Sequence, residues 1–304
     1  MILARTGRGR TEIDAGTRLV GVIGDAVRGS LSPRMHNAAF TAAGLNWCYL
    51  AFPASRARLG DALRGLAAFG AAGANVTVPH KEAALAYLDD ATDEARAIGA
   101  VNTIRVDGER LIGYNTDGGG LLDALRLDAG LTVDGALAVV IGAGGAARAA
   151  AFALVAAAAS VVIANRNWDR AAALAADMRR AFPGRTVDAV PLDGAAIAGR
   201  VREATVLVQA TTVGSGAQRG QLPVTSDALH PNLFVMDMVY DPRDTALLRA
   251  ARARGCRTLE GLPMLVYQGA RAFEIWTGRA APVDVMRRAV GLLGDAPAAR
   301  VGGR

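Results

Sequence analysis

The chain has 304 residues, of which 52% are hydrophobic and 20% charged, a balance typical of a globular protein with a sizeable core. Its net charge is +6, but the arginines are dispersed and no basic patch alternates with aromatic residues, so nucleic-acid binding is not favoured. The two cysteines and three scattered histidines predict no disulfide framework and no metal site, and the absence of a secretory signal or an 18-residue apolar run predicts a cytoplasmic protein without a membrane segment.

Short apolar strands alternate with helical stretches, which predicts a parallel α/β architecture. In the first third of the chain, Ser32-Pro33 is typical of an N-cap followed by proline in the first turn of a helix, which Gly44 closes. Asp107-Gly108 predicts a β-hairpin. The predicted strands there are Leu19–Ile23, Cys48–Phe52, Ala74–Val78, Thr103–Val106 and Leu111–Gly113, and the predicted helices cover about 59–69, 81–88 and 93–98.

A run of three glycines, Gly118–Gly120, predicts a hinge and a domain boundary. A second series of strands and helices follows it. The predicted strands are Ala136–Ile141, Ser160–Ala164, Thr186–Val190, Val206–Gln209 and Phe234–Asp237, and the predicted helices include 146–159 and 168–181. From Met264 to about Leu293 the chain is predicted to be helical and to pack back on the first domain.

Lysine occurs once in the sequence, at Lys81, against 33 arginines. Arginine can replace lysine wherever only a solvated positive charge is needed, but a guanidinium does not give up its proton, whereas an ammonium does. Lys81 ends the polar run 75–81, in which Asn75 and Thr77 alternate with valines and are expected on one side of a strand end. These surroundings favour a catalytic role for Lys81 over the alternative that one lysine remains by chance in an arginine-rich sequence.

Other polar residues stand at predicted strand ends. Ser30 and Ser32 precede a helix and would suit a carboxylate, although Ser32 is equally a good N-cap. Asn102 and Asp117 each have a structural alternative to a binding role: Asn102 could be a turn residue and Asp117 a helix N-cap. Ligands of open α/β sheets nevertheless bind at such strand ends.

A pair formed by Lys81 and Asp117 would suit the oxidation of an alcohol. The lysine would exchange a proton with the hydroxyl while a hydride leaves for a cofactor. The carboxylate would orient the lysine and stabilise its charged form.

The run Gly142-Ala143-Gly144-Gly145-Ala146-Ala147 has the spacing G-x-G-x-x-A, between a predicted strand and a predicted helix. That context is the one the dinucleotide-binding fingerprint requires, because glycines let the backbone approach a pyrophosphate at the helix N-terminus. The alternative is a tight strand-to-helix turn without a ligand. The match of spacing and context favours a bound dinucleotide.

The end of the next strand predicts which dinucleotide binds. An NAD-binding domain has an acidic residue there, whereas this chain has Asn165-Arg166-Asn167 and, one turn later, Arg170. Arginines suit the 2′-phosphate of NADP, although Arg166 and Arg170 could also form a solvated face. The sequence therefore predicts an α/β fold with two domains, an open, mostly parallel substrate domain (1–117 plus 262–304) and a Rossmann-type NADP-binding domain (118–261).

With these motifs in order, the chain resembles the shikimate dehydrogenase family from about Leu19 to Ala289. Each block is modest alone, but eight in order are highly specific. The blocks are 30–33 with 36–37, 75–81, 99–103, 113–118, 142–148, 165–166, 237–242 and 261–270 with 276–278.

The resemblance implies a reversible, NADP-dependent reduction of 3-dehydroshikimate to shikimate, in the biosynthesis of chorismate and the aromatic amino acids. It implies that Lys81 and Asp117 are the catalytic pair. It implies that the substrate is held by Ser30, Ser32, Asn75, Thr77, Lys81, Asn102, Asp117, Tyr240 and Gln268. It implies that NADP is held by Gly142, Ala143, Gly144, Gly145, Ala146, Asn165, Arg166, Arg170, Met238 and Gly261.

The chain departs from the family pattern at three places. Ala26 and Gly29 replace a usual proline and histidine before the first serine, Asn167 stands where threonine is common, and the run 209–212 replaces a usual Asn-Ala-Thr-Ser. Quinate and dual quinate/shikimate dehydrogenases share such an entry loop, so a quinate substrate stays open, and a catalytically silent NADP-binding sensor is a further alternative. The expected partner is a small carboxylate, with no nucleic acid or membrane, and the expected state is a monomer or homodimer.

Overall fold

The computed structural model describes residues 13–294, so the parts of the predictions that concern residues 1–12 and 295–304 lie outside the described residues. Within this range the strands form two six-stranded sheets. No helix in the described range is long and apolar enough to cross a membrane.

The first sheet comes from the N-terminal part of the chain. Its elements are β1 (Arg18–Gly24), α1 (Ser32–Ala42), β2 (Trp47–Pro53), α2 (Leu59–Ala68), β3 (Gly73–Val76), β4 (Asp90–Ala91), α3 (Asp93–Ile98), β5 (Thr103–Asp107) and β6 (Arg110–Tyr114). The strand order is β2-β1-β3-β5-β6-β4, with β1 parallel to β2 and β3 and with β5 and β6 in the predicted antiparallel hairpin. The strand order reverses between β1 and β3, because β2 lies on one side of β1 and β3 on the other. At such a switch point a crevice opens beyond the carboxyl ends of the two strands, β1 and β3.

The second sheet is entirely parallel. Its elements are α4 (Asp117–Asp123), β7 (Leu137–Ile141), α5 (Gly145–Ala156), β8 (Ser160–Asn165), α6 (Trp168–Ala181), β9 (Val187–Pro191), α7 (Gly194–Glu203), β10 (Val206–Gln209), β11 (Phe234–Asp237), α8 (Ala246–Ala253) and β12 (Arg257–Leu259). The order β12-β11-β10-β7-β8-β9 is the doubly wound order of a Rossmann fold. The predicted fold class is therefore confirmed, and its ligand crevice lies at the carboxyl ends of β7 and β10.

The C-terminal helices return to the first sheet, as predicted. Helix α9 (Leu262–Thr277) places Val266 and Phe273 in the same buried cluster as residues of β1 and α1. The helical stretch predicted from Met264 to about Leu293 is divided into two helices. Gly278 ends α9 in a left-handed conformation, φ +65°, and a shorter helix, α10 (Val283–Ala289), follows Pro282, because a glycine in that conformation stops a helix and a proline restarts one.

Three local predictions in the first sheet are wrong in detail. Only a short 3₁₀ turn, Ala83–Tyr87, replaces the helix predicted over 81–88. Ser32 is the first residue of α1 rather than its N-cap, and the backbone N–H of Ser32 donates to Ser30 Oγ at 3.2 Å. Strand β3 ends at Val76, so Thr77 lies beyond it.

The glycine run predicted to be a hinge lies inside α4, whose N-cap is Thr116. A Cβ at Gly118 would lie 3.0 Å from the carbonyl oxygen of Ala149 on α5, and one at Gly120 would lie 2.7 Å from the backbone nitrogen of Gln268 on α9. These glycines allow α4 to pack closely between two helices. The glycines predicted to form a hinge are therefore helical residues at a close helix contact, and the domain boundary predicted there stays a prediction.

Candidate functional site

Lys81 and Asp117 meet in the crevice between the two sheets. Lys81 follows the carboxyl end of β3 and Asp117 begins α4, and the distance from Lys81 Nζ to Asp117 Oδ2 is 2.5 Å. The side chains are 14% and 5% exposed, so the ion pair is shielded from bulk water but open on one side. Two opposite charges that are shielded from water attract each other more strongly than in bulk solvent, and this attraction holds Lys81 Nζ against the Asp117 carboxylate.

Asn102 orients the carboxylate of that pair. Its Nδ2 donates to Asp117 Oδ1 at 2.7 Å and to the Thr116 hydroxyl at 2.9 Å, while its Oδ1 accepts from the Thr116 backbone N–H at 2.8 Å. Gln268 on α9 reaches the same amide, with Oε1 3.3 Å from Asn102 Nδ2. Both oxygens of Asp117 therefore have a donor, and the carboxylate cannot rotate freely.

A cluster of hydroxyl groups lies beside this pair, near the carboxyl ends of β1 and β3. Burial raises the pKa of Tyr240, and a hydrogen bond with Ser30 opposes that shift. Burial also raises the pKa of Tyr49 well above its usual value, and a hydrogen bond with Ser32 opposes it. The structure thus brings the two predicted serines and Tyr240 together. At neutral pH the two tyrosines are uncharged hydrogen-bond donors.

Tyr49 is a site residue that the sequence reasoning missed. Its hydroxyl donates to Asn75 Oδ1 at 2.7 Å, while Asn75 Nδ2 donates to the backbone oxygen of Asn102 at 3.1 Å. The His36 ring stacks on Tyr49 at 4.5 Å, and burial lowers the pKa of His36 to about 3, so the ring is neutral. A buried tyrosine in an apolar strand carries no local signal that separates it from an ordinary core residue.

Thr77, by contrast, makes its contacts mainly through the backbone. Its N–H donates to the oxygen of Ile23 at 2.9 Å and its oxygen accepts from the N–H of His80 at 2.9 Å. The side-chain methyl group packs against Gly24. Thr77 is half-buried, and it stands next to the crevice rather than within the hydrogen-bond network of Asn75.

The glycine turn of the second sheet faces Lys81. Gly142 has φ +121°, which only glycine adopts readily, and a Cβ at Gly145 would lie 2.5 Å from Lys81 Cβ. Gly144 is the N-cap of α5 and no side chain caps that helix, so backbone N–H groups of its first turn, around Ala146, are open to a ligand. A pyrophosphate fits this arrangement, because it can accept from the N–H groups and complement the helix dipole.

The two arginines predicted to recognise a 2′-phosphate differ in their surroundings. Arg166 is exposed at the end of β8 and has no ion-pair or hydrogen-bond partner among residues 13–294. Arg170 Nη2 contacts both carboxylate oxygens of Glu82, at 2.7 and 2.9 Å, and the oxygen of Ala143 at 2.9 Å. Asn165 Nδ2 donates to the oxygen of Asn167, which caps α6. Arg166 is thus the arginine that is free to bind an anion.

Met238 and Gly261 lie together beyond β10 and β11. The N–H of Met238 donates to the oxygen of Gln209 at 2.9 Å, and a Cβ at Gly261 would lie 2.5 Å from the oxygen of Met238. The side chain of Gln209 is fully buried, and it holds the following loop through the N–H of Thr211 at 2.9 Å. This glutamine, a departure from the family pattern, therefore supports the loop rather than facing a ligand.

Asp237 at the end of β11 is fully buried, and this burial raises its pKa to about 6. Two hydrogen bonds lower the pKa in part: the carboxylate accepts from the Thr245 hydroxyl at 2.7 Å and from the Val239 N–H at 3.0 Å. A carboxyl whose pKa rises on folding stabilises the fold while protonated, at low pH, and loses that stabilisation as the pH rises through about 6. The shift from an ordinary 3.8 corresponds to about 3 kcal/mol.

We expect Asp237→Asn to gain stability relative to the wild type as the pH rises from 4 to 7, by up to about 3 kcal/mol. Denaturant unfolding of both proteins at each pH measures this difference in unfolding free energy. Asp244→Asn, an exposed carboxylate in the loop before α8, is the matched control and should show no such gain. A difference between Asp237→Asn and the wild type that is independent of pH would contradict the expectation.

Comparison with known proteins places these features in a family. The model described as shikimate dehydrogenase substrate binding domain matches residues 22–104, shikimate / quinate 5-dehydrogenase matches 127–244, and shikimate 5′-dehydrogenase C-terminal domain matches 261–290. A shikimate dehydrogenase (NADP(+)) of Methanopyrus kandleri is 48% identical, over 91% of this chain and 96% of its own length.

Two solved structures have the same fold. Shikimate 5-dehydrogenase from Thermus thermophilus, in complex with NADP(H) and shikimate, has a TM-score of 0.81 at 40% identity, over 90% of this chain and 98% of that one. Quinate dehydrogenase from Corynebacterium glutamicum, in complex with NAD, has a TM-score of 0.82 at 33% identity, again over 90% and 98%.

Proposed function

The chain belongs to the shikimate dehydrogenase family and is an NADP-dependent oxidoreductase, and we propose that Lys81 and Asp117 carry out its proton transfer in the reversible reduction of 3-dehydroshikimate to shikimate. The observation that carries this proposal is the 2.5 Å contact between the lone lysine and Asp117, directly opposite the glycine turn. A silent cofactor sensor would need no such pair.

In the direction of reduction, the substrate carbonyl carbon gains a hydride and its oxygen gains a proton. NADPH supplies the hydride when bound. The Lys81 ammonium donates the proton to the oxygen and becomes a neutral amine, and in the reverse direction the amine takes it back. Asp117, held by Asn102, keeps the Lys81 side chain in one orientation during this exchange.

The hydroxyl cluster supports a carboxylate-bearing cyclic substrate. We assign the substrate carboxylate to Ser30, Ser32 and Tyr240, because neutral hydroxyls at a helix start donate to an anion. Tyr49, whose single proton is donated to Asn75, supports this cluster from behind. The ring hydroxyls are assigned to Asn75, Thr77, Asn102, Asp117 and Gln268. These assignments support the predicted division into a substrate domain, of which the structure describes residues 13–117 and 262–294, and an NADP domain at 118–261. A cytoplasmic location and a monomeric or homodimeric state stay predictions.

The cofactor is assigned to the glycine turn, to the tip of β8 with Arg170, and to the loop beyond β11. Gly142 to Ala146 would hold the pyrophosphate, Asn165 and Arg166 the 2′-phosphorylated ribose, and Met238 and Gly261 the nicotinamide end. The assignment is supported by the N-terminus of α5, which no described side chain caps, and by the Arg166 guanidinium, which has no partner among residues 13–294.

We expect Arg166→Ala to raise the KM for NADP about tenfold and to leave the KM for NAD nearly unchanged, because a charge-assisted contact to phosphate is worth roughly 1.5–3 kcal/mol and NAD has no 2′-phosphate. Steady-state kinetics with both cofactors measures this split. Arg185→Ala, an exposed arginine in the turn after α6 whose side chain has no hydrogen-bond or ion-pair partner among residues 13–294, is the control. Equal effects on both cofactors would assign Arg166 to the solvated surface.

Shikimate and quinate are distinguished by an activity grid of both acids against NADP and NAD. We expect shikimate with NADP to give the highest kcat/KM. Quinate is the second candidate substrate because Ala26 and Gly29 alter the loop that leads to the serines, and a relative with this fold is a quinate dehydrogenase. Turnover of quinate above shikimate would replace the proposed substrate and leave the reaction class in place.

A further inference from the structure

Arg148 on α5 is a charged residue that the proposed chemistry does not use. Its side chain is only 14% exposed, and the guanidinium contacts elements that belong to both sheets. Nε donates to the backbone oxygen of Ile98 at the end of α3, at 2.5 Å, and Nη2 donates to Asp177 Oδ2 on α6 at 2.6 Å.

The Arg148 guanidinium packs closely against the last residues of α3. Gly99, with φ +71°, ends α3, and a Cβ there would lie 2.6 Å from Arg148 Nη2 and 3.0 Å from Cζ. A cation at the carboxyl end of a helix also complements the partial negative charge of its last carbonyl groups. The absence of a side chain at Gly99 therefore leaves the room that the Arg148 guanidinium occupies.

Short segments connect this contact to the candidate catalytic groups. Three residues after Ile98, the N–H of Val101 donates to the backbone oxygen of Lys81 at 2.8 Å, and the next residue, Asn102, holds Asp117. On the other side, the N–H of Arg148 donates to the oxygen of Gly144, one helical turn earlier in the glycine turn. Arg148 thus links the backbone of Lys81 to the cofactor-binding turn.

We propose that Arg148 is a positioning residue that fixes the distance between the glycine turn and the Lys81–Asp117 pair. Hydride transfer is sensitive to such a distance, because a misplacement of about 1 Å can reduce a rate about 100-fold even when both ligands stay bound. This inference rests on the proposed function, since it needs Lys81 to be the proton-exchanging group.

The test compares Arg148→Met with Arg180→Met. Arg180 lies on α6 and pairs with the same Asp177, but it is exposed and contacts neither Ile98 nor Gly99. Arg180→Met therefore removes one positive charge beside Asp177, as Arg148→Met does, but leaves the contact between α5 and α3 in place. We expect Arg148→Met to slow single-turnover hydride transfer, followed by NADPH absorbance, about tenfold or more, with the Kd for NADP and the KM for shikimate changed less than threefold. Arg180→Met should match the wild type.

A wild-type single-turnover rate in Arg148→Met would overturn the positioning role, as would a slowing explained entirely by weaker NADP binding. If Arg148→Met does not fold, Arg148→Lys decides, because a lysine keeps the charge but cannot donate to Ile98 and Asp177 in the same geometry. The same slowing with unchanged Kd supports the proposal, and a wild-type rate overturns it. Retained turnover in Lys81→Ala would instead overturn the proposed function, so the two failures are separable.

Discussion

Replacing Lys81 by alanine should reduce kcat by a factor of about 10²–10⁴, the usual effect of removing a general acid–base group. The affinity for NADP should stay nearly unchanged, because the lysine contacts the glycine turn only through its aliphatic stem, near Gly145. Steady-state kinetics and a direct measurement of NADP binding check both statements. Unaltered turnover would remove Lys81 from the reaction.

Two further substitutions at the same position separate charge from proton exchange. Lys81→Met keeps the stem against Gly145 and removes the ammonium, so it should be as inactive as the alanine variant. Lys81→Arg keeps the positive charge but cannot release a proton at neutral pH, so it too should lose most of kcat. High activity in the arginine variant would mean that Lys81 acts only as an electrostatic or binding group.

Asp117→Asn should have the second largest effect, a loss of kcat of about 10²–10⁴ with an intact fold. Asp117 accepts from Lys81 at one oxygen and from Asn102 at the other. An asparagine must place its own N–H₂ group against one of these donors, so one of the two contacts is lost whichever way the amide turns. The lysine is then no longer held in its orientation.

Asp123→Asn is the control for this prediction. Asp123 lies on the same helix α4 and pairs with Arg271 at 2.8 Å, outside the hydrogen-bond network around Asp117. Surface pairs of this kind contribute about 0–1 kcal/mol, so its kcat should equal that of the wild type. Equal losses in both variants would mean that disturbance of α4, rather than release of Lys81, slows the enzyme.

The local motifs were predictable because each has a physical requirement that a short sequence can show. The glycine turn needs glycines between a strand and a helix, and the hairpin needs Asp107-Gly108, so both were located from sequence. The boundaries were less predictable. The run 81–88 forms only a short 3₁₀ turn. Gly118–Gly120 lies inside α4, where the absence of side chains lets α5 and α9 approach closely.

The sequence alone determined the fold class, the order of the elements and the candidate groups, including the lone lysine in 33 arginines. These depend on hydrophobic periodicity and on which residue types a turn or a proton transfer permits. Only the tertiary structure decided that Tyr49 joins the serines and that Arg148 contacts elements of both sheets. It also decided that Arg170 pairs with Glu82, while Arg166 has no partner among residues 13–294. Such contacts join residues far apart in the chain, and no local pattern encodes which of them meet.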